Sequence, residues 1–121
     1  MKSILIAISA PDVRRRFSEI LSQAGYHVIT AESGESAIDI AAAVQLDLVL
    51  MAIVLSNLDG LQTASRLRAI SSPKSVPIIL LGTVPPLGID ENPLASLVDD
   101  YLNLDVDADE LLSCVTKHAR S

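Results

Sequence analysis

Short runs of aliphatic and β-branched residues alternate along the chain with longer segments whose apolar positions recur every three or four residues. The first run, SILIA at Ser3–Ala7, is apolar without alternation, as expected for a strand covered on both faces of a parallel sheet. Pro11 then stands where a first helical turn tolerates proline, and Val13, Phe17, Ile20, Leu21 and Ala24 mark one helical face up to Gly25. Residues 26–30 (YHVIT) read as a second strand, and Ser33 with Gly34 opens a helix whose inner face is Ala37, Ile38, Ala41 and Ala42. Residues 47–53 (DLVLMAI) form a third strand, followed by a loop over 54–60 that ends in the turn pair Asp59 and Gly60. Leu61, Ala64, Leu67 and Arg68 begin a third helix, closed off by Ser71, Ser72 and Pro73. Residues 76–81 and 100–103 supply the fourth and fifth strands. Asp107 caps a last helix, with Glu110 three residues on, leading into Leu111, Leu112, Val115 and Ala119.

The fourth unit breaks the alternation. Between Leu81 and Asp100 stand three prolines and two glycines, and an interior proline costs a helix about 3 kcal/mol. Residues 83–91 are therefore expected to be loop. Asn92 as cap and Pro93 as first helical residue predict a short helix over 93–98, with Leu94, Leu97 and Val98 on its apolar side. Five βα units of this length predict an α/β fold: a doubly wound, five-stranded parallel sheet of flavodoxin-like type, a three-layer sandwich with the fourth helix shortened. No linker or repeat divides it, so residues 1–121 form one domain.

Composition narrows what this fold can do. The chain has 121 residues, half of them hydrophobic, with no Trp and 2% aromatic, so its core is aliphatic. Nine basic against fifteen acidic residues give a net charge of −6, which argues against nucleic acid or an anionic membrane as partner. The longest apolar stretch, residues 48–55, is under half of a bilayer span, and Asp12 with Arg14, Arg15 and Arg16 follows the first apolar run where a signal peptide needs small residues. Cys114 is alone, so no disulfide framework or cysteine metal cluster is expected, and a reducing cytoplasm fits. His27 is expected at an edge strand and His118 in the last helical turn, neither with a second histidine or cysteine spaced to make it a metal ligand. The three arginines read as a solvated helix face. The acidic excess falls entirely in residues 75–121, which hold two basic and eight acidic side chains, against seven of each in residues 1–74. It reads as a surface feature giving solubility and selecting a basic partner.

Ordered landmarks over nearly the whole chain carry a family resemblance: the apolar strand followed by Pro11, Asp12, Val13 and Arg14; the stretch from Ala24 to Ile38; LDLVL at residues 46–50; Leu58, Asp59 and Gly60; Val76, Pro77, Ile78 and Ile79; and Asp99, Asp100, Tyr101 and Leu102. Together they resemble the receiver domain of two-component response regulators. Receivers accept a phosphoryl group on an aspartate at the end of the third strand, with carboxylates after the first strand holding Mg²⁺, and a hydroxyl after the fourth strand and a lysine after the fifth binding the phosphoryl oxygens.

Carried onto this chain, the resemblance puts the acidic pair on Ile8 and Ser9, with Ala10 beside them, and the phosphoacceptor on Ala52. It puts the hydroxyl on Gly82, the lysine on Leu104 and the proline after it on Asp105. An alanine methyl cannot attack phosphorus, and one hydroxyl with backbone carbonyls holds Mg²⁺ poorly. The resemblance thus implies a degenerate pseudo-receiver, with no cofactor, no metal and no enzymatic activity, acting in phosphorelay-type signalling as a phosphorylation-independent interaction module. Its expected partner is a signalling protein, bound through a face around Leu87, Ile89, Leu94, Leu97 and Tyr101, where a homodimer is a further possibility. Other readings are a small-ligand sensor using the vacated cleft, with Ser9, Ser56 and Asn57 as its polar groups; the regulatory part of a longer transcription factor; and a phosphorelay component with another acceptor.

Overall fold

A computed structural model describes residues 2–52, 60–70, 76–82 and 98–119. In chain order the elements are β1 (Ser3–Ala7), α1 (Pro11–Gln23), β2 (His27–Ala31), α2 (Gly34–Ala43), β3 (Leu48–Ala52), α3 (Gly60–Ile70), β4 (Ile78–Gly82), β5 (Asp100–Asn103) and α4 (Ala108–His118). The strands pair in the order β2-β1-β3-β4-β5, all parallel. The expected loop over 54–60 lies outside the described residues up to Gly60, where α3 begins; so do the chain over 71–75, the loop over 83–91 and most of the short helix over 93–98.

Strand periodicity divides the core into two layers. Ile4, Ile6, Leu48, Leu50, Ile79, Leu81 and Leu102 face one side, against Phe17 and Leu21 of α1 and Leu111, Cys114 and Val115 of α4. Leu5, Ala7, Val49, Met51, Ile78 and Leu80 face the other, against Ala37 of α2 and Ala64 and Leu67 of α3. All five residues of β3 and of β4 are buried, which accounts for their unbroken apolar sequence. β2, at the edge, begins one residue later than expected and leaves His27 exposed.

Two helix faces differ from the sequence expectation. Ala42 is exposed, and Ile40 packs against the core in its place. Ala24 is exposed too, because α1 closes there: Gly25 adopts φ +97°, its N–H donates to the Ser22 carbonyl (3.1 Å), and the Tyr26 N–H donates to Leu21 (3.1 Å). This is the two-bond ending that a left-handed glycine permits. At α2 and α4 the helix starts are capped, with Ser33 Oγ accepting from the Ser36 N–H (3.1 Å) and Asp107 Oδ1 from the Glu110 N–H (2.8 Å), while the expected Asn92 cap lies outside the described residues.

A pair of aspartates sets the sheet's lower edge. Asp47, just before β3, accepts from the Ser3 N–H (2.8 Å) and returns its own N–H to the Ser3 carbonyl (2.8 Å). Asp99, just before β5, does the same with Ile78 (2.8 Å each way) and also accepts from Arg68 of α3 (2.9 Å).

Candidate functional site

The carboxyl ends of parallel strands, at the point where strand order reverses, are where this kind of sheet binds ligands. Here that point lies between β1 and β3. The register sets Ala7 beside Met51 and Ala52 beside Leu81, with Gly82 beside Asn103. Ile8, 2% exposed, and Ala52, 6% exposed, belong to the same apolar cluster, and Leu104 packs against it. Gly82 joins through its backbone, its carbonyl accepting from the Leu104 N–H (2.9 Å). Ile8, Ala52, Gly82 and Leu104 therefore converge.

The Ser9 hydroxyl donates to the Glu32 carbonyl (2.7 Å), while Ser56 and Asn57 lie outside the described residues. The carbonyls of Ile8 and Ser9 are not free to ligate a cation either. Arg14 Nη1 donates to Ile8 (2.8 Å) and Ser9 (3.4 Å), while Nη2 pairs with Glu32 (3.4 Å). Of the arginine triplet, Arg15 and Arg16 are exposed, as expected of a solvated face, and Arg14 is half-buried. Arg16, though exposed, donates to the Leu104 carbonyl (3.5 Å) and to that of Val106, tying α1 to the β5–α4 turn. Arg14 and Arg16 thus satisfy backbone carbonyls of residues just beyond β1 and β5.

Among the described residues at these strand ends, then, a hard, oxygen-seeking Mg²⁺ meets a methyl, two aliphatic side chains and carbonyls already held by a guanidinium. The donor set does not fit that ion. Asp47 cannot substitute, since it is bound to Ser3 at the far end of the sheet, and Asp59 lies outside the described residues.

Of the expected partner face, Leu87, Ile89, Leu94 and Leu97 lie outside the described residues. Tyr101 is half-buried and packs with Val98 against the α2–α3 side of the core, and burial pushes its phenol pKa up.

A second polar group was missed by sequence reasoning. At the start of β5, Asp100 Oδ2 receives the Cys114 thiol (3.5 Å) and lies 2.8 Å from His118 Nε2. Burial raises the Asp100 carboxyl pKa, but hydrogen bonds from the Tyr101 N–H, His118 and Cys114 outweigh it and hold the group below its ordinary value. Burial first, then the Asp100 charge and hydrogen bond, push the Cys114 thiol to about 12. The expectation that neither histidine has a ligand-spaced neighbour is corrected here. Cys114 and His118, four residues apart on one helix, share a face, and the signal was present in that spacing.

The strand order and the convergent strand ends define a flavodoxin-like doubly wound domain, the class within which the landmarks of the sequence are to be placed. The chain belongs to the response regulator receiver domain family, whose pattern it matches over residues 4–116. It is 28% identical to Protein PilG of Pseudomonas aeruginosa over 120 residues, covering 98% of this chain and 87% of PilG. Response regulator MprA of Mycolicibacterium vanbaalenii is 31% identical over 110 residues, covering 91% of this chain but 47% of MprA, so the chain spans under half of that regulator. Among solved structures, the receiver domain of a Pseudomonas aeruginosa sensor histidine kinase, with a magnesium ion in its active-site cleft, superposes with a TM-score of 0.88 at 28% identity, covering 97% of this chain and 96% of that one. Response regulator TrrA of Thermotoga maritima, in complex with Mg²⁺ and BeF, gives a TM-score of 0.85 at 31% identity, covering 97% and 98%. No helix among the described residues is long and apolar enough to cross a membrane.

Proposed function

We propose that this chain is a pseudo-receiver: a receiver domain that takes part in two-component signalling by binding a protein partner, without accepting a phosphoryl group at its strand ends. The observation that carries the reading is the apolar closure of that site, where Ile8, Ala52 and Leu104 share one cluster and the nearby carbonyls are held by Arg14. A carbon side chain at position 52 has no lone pair to form a P–O bond, so the domain is not an enzyme or a phosphoacceptor there. Without a bound phosphoryl group to switch it, it presents one conformation to its partner. The face we assign to that partner is the region of residues 84–101, including Leu87, Ile89, Leu94, Leu97 and Tyr101, and a second copy of the chain is one candidate. The lone cysteine supports a cytoplasmic setting.

The test is titration of the chain with Mg²⁺ and beryllofluoride, a phosphoryl mimic, followed by amide chemical shifts. Flat shifts at Ala52, Gly82 and Leu104 are expected; saturable shifts there would overturn the reading. Capture of a partner by the wild-type chain should be lost in Leu87→Asp and Leu94→Asp and kept in Arg15→Glu, and equal retention by all three would remove the assigned face. A second reading, that the chain is the regulatory part of a longer transcriptional regulator, is favoured by its 32% identity to the probable transcriptional regulator ycf27 of Cyanophora paradoxa, of which it covers 41%.

A further inference from the structure

We propose that Asp100, Cys114 and His118 form a binding site for one zinc-class divalent cation, at the end of β5 opposite the strand-end pocket. The ligand atoms, one carboxylate oxygen, the thiol sulfur and one imidazole nitrogen, all lie within 4.8 Å of one another. A tetrahedral Zn²⁺ with bonds of about 2.0 Å to nitrogen and oxygen and about 2.3 Å to sulfur sets its ligand atoms roughly 3.2–3.6 Å apart. The observed separations from Asp100 Oδ2 are 3.5 Å to Sγ and 2.8 Å to Nε2, with Sγ and Nε2 within 4.8 Å of each other, so the oxygen–nitrogen distance lengthens by a few tenths of an ångström on binding.

Three further features fit the assignment. Both neighbours converge on Oδ2, the atom a cation takes over, while Oδ1 is fixed by the Tyr101 N–H (2.8 Å), an outer contact of the kind that orients a metal-binding carboxylate. The group is reachable: the Asp100 side chain is 37% exposed and that of His118 18%, leaving a solvent side where water completes the fourth position. A sulfur, nitrogen and oxygen set selects a borderline cation over Mg²⁺ or Ca²⁺, which take oxygen ligands.

On binding, the Cys114 S–H bond breaks, its proton leaves to the buffer, and the sulfur lone pair goes to the metal. Asp100 exchanges its contacts with Cys114 and His118 for one metal–oxygen bond. The ion then fastens the first residue of β5 to the last turns of α4, residues that are distant in sequence. The site shares no residue with the strand-end pocket and stands or falls separately from it.

The test uses the tag-free full chain titrated with Co²⁺ and then Zn²⁺, with absorption spectra and calorimetry. A sulfur-to-cobalt charge-transfer band with tetrahedral d–d absorption, displaced by Zn²⁺ at one ion per chain and untouched by Mg²⁺, is expected. Cys114→Ser should abolish the band and His118→Gln should weaken Zn²⁺ binding on the order of tenfold or more. His27→Gln, at the far edge of the sheet, should change neither. Absence of the band in the wild-type chain, or a Zn²⁺ affinity equal in wild type and His118→Gln, would overturn the site and leave a hydrogen-bonded clasp. The wild-type spectrum decides the cysteine's role even if Cys114→Ser does not fold.

Discussion

Restoring a carboxylate at the strand ends is the sharpest probe of the apolar site. In Ala52→Asp the new carboxyl enters a cluster with Ile8, Leu81, Leu102 and Val106, at a position now 6% exposed. Fully buried carboxyls rise by about 3–5 pH units from an ordinary value of about 3.9, and a rise of about three costs about 4 kcal/mol at pH 7. Because the site lies at a sheet end, where partial solvation relieves the charge, a loss of about 2–4 kcal/mol is expected, within what a domain of roughly 5–15 kcal/mol stability survives. Ala52→Asn buries a polar group of the same shape without the charge, so the difference between the two variants isolates ionisation. The folded Ala52→Asp variant keeps the proton on its new carboxyl to higher pH than the unfolded chain does. Its native state therefore binds more protons, and stability falls as pH rises above the unfolded value, by about 1.4 kcal/mol per pH unit until the folded carboxyl ionises. Urea unfolding from pH 4 to 8 should show the two variants converging near pH 4 and separating above it. If they coincide at every pH, and carbon NMR shows an ordinary carboxyl titration, residue 52 is solvated and the reasoning about the pocket is wrong. Magnesium should not rescue the single variant, whereas Ile8→Asp/Ala52→Asp, with two crowded carboxylates to neutralise, should gain stability from it.

Three further substitutions test the framework around that site. Gly25→Ala should cost about 1–2 kcal/mol in chemical denaturation through backbone conformation alone, since a Cβ there meets nothing within 4 Å and φ is +97°. Asp99→Ala removes the acceptor for the Ile78 N–H and the partner of Arg68, and should cost about 1–3 kcal/mol, with Asp99→Asn recovering part by keeping one oxygen. Arg16→Ala should destabilise by about 1 kcal/mol or more with little salt dependence, because its acceptors are the neutral carbonyls of Leu104 and Val106, while the outward Arg15→Ala should stay within about 0.5 kcal/mol of wild type.

The elements most legible in the sequence are those buried on both faces. β1 coincides with the expected run, and β3 and β4 lie within about two residues of theirs, because a strand covered by helices on both sides has no polar position to interrupt it. β2 is displaced by one residue because it is an edge, where Tyr26 and His27 give no clean alternation. Ile8, Ala52 and Leu104 were reached only through the family resemblance, carried over position by position; the structure places them in and against one apolar cluster. That Arg14 and Arg16 also reach backbone carbonyls was not legible, because a charge run says nothing about which carbonyls lie within reach; that depends on where β1 and β5 stop relative to α1. Cys114 and His118 were visible as a helical pair, but Asp100 comes to them only through the packing of β5 beneath α4.

The acids of the last third are more than a solubilising surface. Asp99 and Asp100 are consecutive, so strand geometry sends them to opposite sides of the sheet. Asp99 binds Ile78 and Arg68 on the α3 side, and Asp100 binds Cys114 and His118 on the α4 side. At the other end of the strand, Arg16 holds the carbonyls of Leu104 and Val106, and Asp107 caps α4. β5 is therefore pinned at its start from both faces and at its end from α1, by contacts that include none of the side chains at positions 8, 52 and 82. Because Arg16 holds the carbonyls of Leu104 and Val106 just beyond β5, Arg16→Ala should loosen amide exchange at residues 104–106 before it affects the rest of the sheet. Unchanged exchange there would show that the turn after β5 is held by other contacts.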